Sequence, residues 1–356
     1  MSNPIAGISD SCADANPKRD VGQSDVRHTT ENSKQQLSQI RSFVQDDLDA
    51  MQDYVLEALD SDIPLIQDVG RHIVEHGGKK MRPITVLLGA RVFDYPGPHH
   101  VMLATILEFI HVATLLHDDV VDDSTMRRGR ASAKSIWGNP ASVLVGDFFS
   151  TRAFELLVSA DSLKLFEVMT SAMRKVAEGE VLQLVQMHAY ETTQKDYFDT
   201  IDRKTAPLFW AGAQLGAIIT GQPQDVRHNM AQFGYNLGMA FQLIDDYLDY
   251  AGDTETIGKE VGDDLMDGKM TLPLIYARDH CKSQHTETIR SAVDNPDETK
   301  VAGICEIVAS SGALEYTVSL ACKYRDSAIE NLRFLPDSAC KEVLFKLIEF
   351  AVSRDF

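Results

Sequence analysis

The chain has 356 residues, 44% of them hydrophobic, and a formal charge of −19. That is enough apolar material for a large core, while the acidic excess argues against nucleic acid as a partner, because such binders present basic surface to phosphates. Sparse proline and modest aromatic content favour long helices over a many-turned β fold, and Cys12, Cys281, Cys305, Cys322 and Cys340 stand at no metal-ligand or redox spacing, which reads as reduced thiols in a cytoplasmic protein. Residues 1–33 are polar, without apolar period or secretory signal, and read as a disordered tail. From Gln35 onward helical periodicity is nearly continuous, broken only by short turns such as Gly77-Gly78, Gly138-Asn139-Pro140 and Gly221-Gln222-Pro223. No Gly, Ser or Pro linker follows, so residues 34–356 are expected to form one large all-α bundle with its site in the core. The most apolar run, Val101 to Leu116, is interrupted by Glu108 and His111 and empties into a cluster of aspartates; it reads as a buried helix, and no transmembrane segment is expected. Further on, Met230, Phe233, Leu237, Phe241, Ile244 and Leu248 recur at steps of three and four, an apolar stripe along one helix.

Two acidic motifs follow apolar helical runs. In Asp118-Asp119-Val120-Val121-Asp122-Asp123, residues 118 and 122 stack on one helical face, where like charges repel unless a cation joins them. Mg²⁺ suits that role, since it takes hard oxygen ligands from one or two carboxylates plus waters and substrate phosphates. Alone, this run would equally be a solvated acidic helix end. Asp245-Asp246-Tyr247-Leu248-Asp249 repeats the pattern, with Asp245 and Asp249 at the border of the apolar stripe, where charges need partners or a metal. Two such sites predict an ion cluster between facing helices. Asp263-Asp264 reads as a loop feature or a support to it.

The cations fall into groups. Gly77-Gly78-Lys79-Lys80-Met81-Arg82-Pro83 is a glycine-opened turn before a helix start, suited to a diphosphate. Met126-Arg127-Arg128-Gly129-Arg130 lies beyond the first aspartates, and Lys204 and Lys259 flank the second set. A lone lysine is ordinarily surface charge. Two basic sets beside two acidic sets point instead to two diphosphates, one bridged by metal and one held by side chains.

These segments resemble the trans-isoprenyl diphosphate synthases, most of all the bacterial octaprenyl-forming group. The resemblance runs from about Leu37 to Phe356 and includes Gly77 to Pro83, Phe109-Ile110-His111, Leu115 to Asp122, Met126 to Gly129, Gly146-Asp147-Phe148, Glu178-Gly179-Glu180, Lys204-Thr205-Ala206, Phe241 to Asp249 and Gly258-Lys259 through Pro273. It implies an all-α homodimer around a deep cavity. By position, Lys79, Arg82, His111 and Arg128 would bind isopentenyl diphosphate; Asp118 and Asp122 would hold two Mg²⁺ ions and Asp245 a third; Arg127, Lys204 and Lys259 would contact the allylic diphosphate, with Gln242 and Lys269 as further contacts. Asp123 departs from the glutamate common in close relatives, outside the main metal positions. The implied chemistry is ionisation of the allylic diphosphate, attack by the double bond of isopentenyl diphosphate, and proton loss to the released diphosphate. His111 is expected to bind phosphate rather than act as base, against the plainer reading of a packed, hydrogen-bonded histidine. The implied product is a forty-carbon chain for a quinone side chain, grown on farnesyl diphosphate and passed to a membrane enzyme.

Product length follows from the residues below the first motif. Thr114 and Ala113 lie one turn deeper than Asp118 and are small, where short-chain members carry an aromatic or an insertion. Phe109 is a further turn down, so a long product is expected. By position in the octaprenyl-forming group, the resemblance makes Met169, with Leu157 below it, the candidate floor, weighed equally against ordinary core filling. The alternatives are a synthase of shorter or longer product, a class I terpene cyclase, which needs no isopentenyl diphosphate site, and a non-catalytic synthase subunit, which typically lacks some of these charges.

Overall fold

Helix starts follow local chemistry. Ser162, Thr193 and Ser338 cap the helices Leu163–Gln186 (α8), Gln194–Lys204 (α9) and Ala339–Ser353 (α17), and Thr193 forms a capping box with Asp196. Proline occupies the first turn of Asn139–Ser159 (α7), Ala206–Ile219 (α10) and Leu272–His280 (α13), where its missing N–H costs nothing. The computed structural model describes residues 23–75, 78–127, 129–251 and 261–354, and among these are seventeen helices and one two-stranded hairpin, Met126–Arg127 (β1) against Arg130–Ala131 (β2). The other helices are Gln23–Phe43 (α1), Gln45–Ala58 (α2), Pro64–Glu75 (α3), Met81–Arg91 (α4), His99–Val121 (α5), Ala133–Trp137 (α6), Gln224–Ala251 (α11), Asp263–Met266 (α12), Ser283–Asp294 (α14), Glu298–Ser310 (α15) and Ala313–Asn331 (α16). Helix α1 begins at Gln23, ahead of the boundary expected after residue 33; residues 1–22 lie outside the described residues.

Helix α10 is apolar on nearly all sides because it is enclosed by α4, α5, α8, α9 and α11. Its approach to α4 is close enough that a Cβ at Gly216 would lie 2.2 Å from the backbone carbon of Gly89, so only glycine fits. Two apolar clusters form the interior. One joins α1–α5, α7, α8, α10 and α17; the other gathers α12–α16 with α9. Helix α11 serves both, giving Met230, Phe233 and Leu237 to the first and Met239, Leu243, Ile244 and Leu248 to the second. Each fully buried Leu or Ile contributes about 1.5–3 kcal/mol.

Helix α5 is long and apolar enough to cross a membrane, and 67% of its apolar window is buried inside the protein, as expected of a core helix. A buried ion network fixes its start. Asp47 on α2 accepts hydrogen bonds from Arg91 on α4 and from His100 on α5, the latter at 3.0 Å. Burial alone would raise the Asp47 pKa, but the hydrogen bonds from His100 and Arg91 outweigh it and hold the carboxyl at about 2.

Candidate active site

The last turn of α5 delivers the first aspartate set, and helical geometry separates its members. Asp118 and Asp122 share one face and are partly buried, while Asp119, turned about 100° away, is fully buried. Each outward aspartate receives a lysine from a different element. Lys204, at the end of α9, places Nζ 3.5 Å from Asp118 Oδ2. Lys269, beyond α12, donates to Asp122 Oδ2 at 2.9 Å and to Asp267 at 2.8 Å. Asp119 pairs with Arg127 of β1 at 2.6 Å, and its Oδ2 is buried without a hydrogen-bond partner beside a narrow crevice lined by His72, Arg127 and Arg130. Burial raises the Asp119 pKa despite Arg127. Asp123, exposed and at positive φ, pairs with Lys134.

Lys204 is positioned by an approach that the sequence does not advertise. Its Nζ donates to Glu180 at 2.5 Å and to Gln183 at 2.6 Å, both on α8. A Cβ at Gly179 would stand 2.5 Å from the Lys204 backbone nitrogen, so the absence of a side chain lets α8 meet the end of α9. Burial pushes Glu180 up to about 7, with Lys204 opposing and Asp118 and Asp122 adding to the rise.

Helix α11 presents the second set in three environments. Asp245 is about half exposed and bonded at 3.1 Å to Arg354, which follows α17. Asp246 is buried and accepts from the Tyr197 hydroxyl and, at 2.7 Å, from Gln242, whose amide oxygen accepts from Thr205 at 2.8 Å. Burial, with Asp264 nearby, holds Asp246 well above the usual carboxylate range. Asp249 is buried, and its Oδ2 accepts the backbone N–H of Asp264 at 3.3 Å. The backbone N–H of Lys269 in turn donates to the Asp264 carbonyl at 2.8 Å, so a continuous path runs from Asp122 through Lys269 and Asp264 to Asp249. The two aspartate sets therefore border one region, and Asp264 supports the second.

A third cluster lies nearer the start of α5. His111 is two turns before Asp118 on the same face, about 10 Å along the axis. Arg82, in the first turn of α4, approaches His111 Nε2 at 3.3 Å and stacks 4.9 Å over Phe209. Lys79 is partly buried just before α4, while Lys80 is taken by the buried Glu108 at 2.7 Å. Arg128 and Lys259 lie outside the described residues. Below the first motif, Ala113 is buried and Thr114 donates to the His111 carbonyl at 2.8 Å. Phe109 meets Phe149 edge-on at 5.0 Å, and Leu157 and Met169 are buried in the same apolar cluster.

Among the described residues no three His, Cys, Asp or Glu side chains form a complete metal site. Mg²⁺ does not need one, because it is held by one or two carboxylates together with substrate phosphates. The donors fit that mode: Asp118, Asp122 and Asp245 each offer carboxylate oxygen, and each already attracts a cation, the ammonium of Lys204 or Lys269 or the guanidinium of Arg354. Sequence reasoning named Glu180 only as part of a matched segment and missed Gln183 and Arg354; no local pattern marks them, since their partners come from distant segments.

Comparison with known proteins gives the wider context. The polyprenyl synthetase family model matches residues 63–309. The octaprenyl diphosphate synthase of Escherichia coli is 45% identical over 90% of this chain and 99% of its own length. An all-trans-nonaprenyl-diphosphate synthase of Rhodobacter capsulatus, described as geranyl-diphosphate specific, is 41% identical over 87% of this chain and 96% of its own. Among solved structures, a polyprenyl synthase from Caulobacter crescentus, complexed with calcium and isoprenyl diphosphate, superposes with a TM-score of 0.87 at 40% identity, covering 90% of this chain and 98% of that one.

Proposed function

The chain belongs to the polyprenyl synthetase family, and from that membership we propose that it adds isopentenyl diphosphate units head-to-tail to farnesyl diphosphate, giving all-trans octaprenyl diphosphate. The observation that carries this reading is the interleaving of carboxylates and lysines at the end of α5, where Asp118 and Asp122 meet Lys204 and Lys269. Carboxylates for metal and ammonium groups for phosphate are then side by side, as a metal-bridged diphosphate requires.

In this reading residues 34–356 are the catalytic unit. Asp118, Asp122 and Asp245, with Asp249 behind them, hold Mg²⁺, which when bound neutralises charge building on the leaving diphosphate. Lys204, Arg127 and Lys259 hold that diphosphate by direct charge, and Gln242, with Thr205 and Asp246 fixing its amide, lines the same end. Lys79, Arg82, His111 and Arg128 hold isopentenyl diphosphate, with the stack of Arg82 on Phe209 limiting its motion. The buried apolar walls around Ala113 exclude water while the C–O bond of the allylic substrate breaks and the double bond of the second substrate attacks the resulting cation. The displaced diphosphate accepts the proton that leaves, so no side-chain base is required. The small residues Ala113 and Thr114 support a long product, and Met169 with Leu157 supports a floor. Identity to the octaprenyl enzyme favours forty carbons over forty-five. The exposed apolar residues Val181, Leu184 and Val185 on one face of α8 support a homodimer. A cytoplasmic enzyme handing its product to a membrane enzyme of quinone synthesis completes the reading.

The test is incubation of the purified chain with Mg²⁺, isopentenyl diphosphate and farnesyl diphosphate, with product length read by chromatography and mass spectrometry. Octaprenyl diphosphate is expected; a cyclic hydrocarbon, or no condensation, would overturn the reading.

A further inference from the structure

We infer that Arg354 is a positioning residue for Asp245, fixing the outward carboxylate of the second aspartate motif in the orientation a divalent cation requires. The inference rests on reading Asp245 as a metal ligand. Arg354 follows the last residue of α17 in an extended conformation and turns its side chain beneath α11, where the side chain is only 2% exposed. One guanidinium nitrogen donates to Asp245 Oδ1 at 3.1 Å and another to the Phe241 carbonyl at 2.7 Å, while the guanidinium carbon lies 3.8 Å over the Phe241 ring. Phe241 and Asp245 are one turn apart, so the planar group spans a turn of α11 and fixes the aspartate relative to the backbone that carries it.

The chemistry argues against plain packing. A buried guanidinium is costly unless paired, and an apolar side chain of similar volume would fill the space between α11 and α17 at lower cost. Nε is buried without a hydrogen-bond partner, so the group is committed to Asp245 and Phe241 rather than to satisfying all its donors. Asp245 meanwhile keeps 46% of its side chain exposed. The anchor is itself braced. Ser33 of α1 donates to the Ser353 carbonyl at 3.0 Å, the Ser353 hydroxyl donates to Gln36 at 3.2 Å, and Lys346 reaches Gln39 at 2.9 Å. The N-terminal helix thus steadies the segment that sets the second motif.

The experiment compares wild type, Arg354→Met, Arg354→Lys and Asp245→Asn as full chains. It measures Mn²⁺ binding by electron paramagnetic resonance with inorganic diphosphate present and no turnover, together with the Mg²⁺ dependence of kcat, the KM of each substrate and the melting temperature. Arg354→Met is expected to weaken Mn²⁺ binding about tenfold, the usual range for loss of a group that orients a ligand, with the KM for isopentenyl diphosphate unchanged. Arg354→Lys keeps the charge but cannot span both acceptors, so it should recover part of the affinity. It also supplies the reading if the methionine variant does not fold. Wild-type Mn²⁺ affinity in Arg354→Met would reduce the residue to packing, and tighter binding would make it a competitor of the metal; either overturns the inference. Wild-type affinity in Asp245→Asn would overturn the metal reading of Asp245 itself, which separates the two failures.

Discussion

A methyl group added at Gly179 tests how the site is assembled. In Gly179→Ala the new Cβ would lie 2.5 Å from the Lys204 nitrogen and 2.8 Å from both the Arg203 carbonyl carbon and the Lys204 Cα, against an ordinary contact that starts at 3.4 Å. All three are backbone atoms, so no rotamer change relieves the clash; α8 and the end of α9 must part by the difference, 3.4 − 2.5, or about 0.9 Å. Lys204 Nζ is held at 2.5 and 2.6 Å by α8 residues and stands 3.5 Å from Asp118 on α5, so the shift disturbs the lysine on both sides. Overpacking of this kind costs about 1–3 kcal/mol of stability, and displacement of a positioning group by about 1 Å can cost roughly 10²-fold in rate. Single-turnover condensation and thermal denaturation should therefore show a large loss of rate with a modest loss of stability. Gly303→Ala, where nothing lies within 4 Å of the added Cβ, is the matched control and should gain up to about 1 kcal/mol from helix propensity. A wild-type rate in Gly179→Ala would refute the reasoning that this helix approach sets Lys204.

Asp118→Ala should lower turnover by at least roughly 10²–10³-fold, the scale of one lost charge-stabilising group, with an unchanged circular dichroism spectrum; substantial Mg²⁺-dependent activity would remove Asp118 from the metal site. Ala113→Tyr should shorten the main product while the first condensation continues, and an unchanged product would remove residue 113 from the path of the growing chain. Glu180→Gln bears on pH. Because the folded protein holds Glu180 at about 7 against 4.5, it binds the proton more tightly than the unfolded chain does, so this contribution to stability is complete below pH 4.5 and is lost as pH rises through 7. The loss amounts to about 3 kcal/mol, and the melting temperature of metal-free Glu180→Gln should accordingly fall less than that of wild type between pH 4.5 and 7.

The fold was legible because helices write themselves locally. The stripe from Met230 to Leu248 and the run Val101 to Leu116 correspond to α11 and α5, since spacing along the chain is what buries one face. The start of α1 was not legible. Residues before Leu37 carry no apolar period, yet a helix secured by Leu37 and Ile40 extends back over them, as elongation is cheap once a nucleus is packed. In the candidate site, the aspartates announce themselves by i, i+4 spacing on one helix. Their partners do not. Lys269 meets Asp122 across 147 positions and Arg354 meets Asp245 across 109, and such pairings exist only after helices without local sequence relation have packed together.

On the proposed function, the lysines on Asp118 and Asp122 have a consequence for how substrate enters. In the resting protein these carboxylates are already half-satisfied, and an incoming cation alone would leave Lys204 to Glu180 and Gln183 and Lys269 to Asp267. A metal diphosphate brings both parts of an exchange at once: metal to carboxylate, phosphate to lysine. No ion pair would be lost in such a swap, since the metal stays on the phosphate, and neither partner would be stranded in a partly buried position. On the proposed function, an acidic protein would in this way admit a polyanion without first collecting free metal, and the selectivity of entry would lie in the requirement that both halves arrive together.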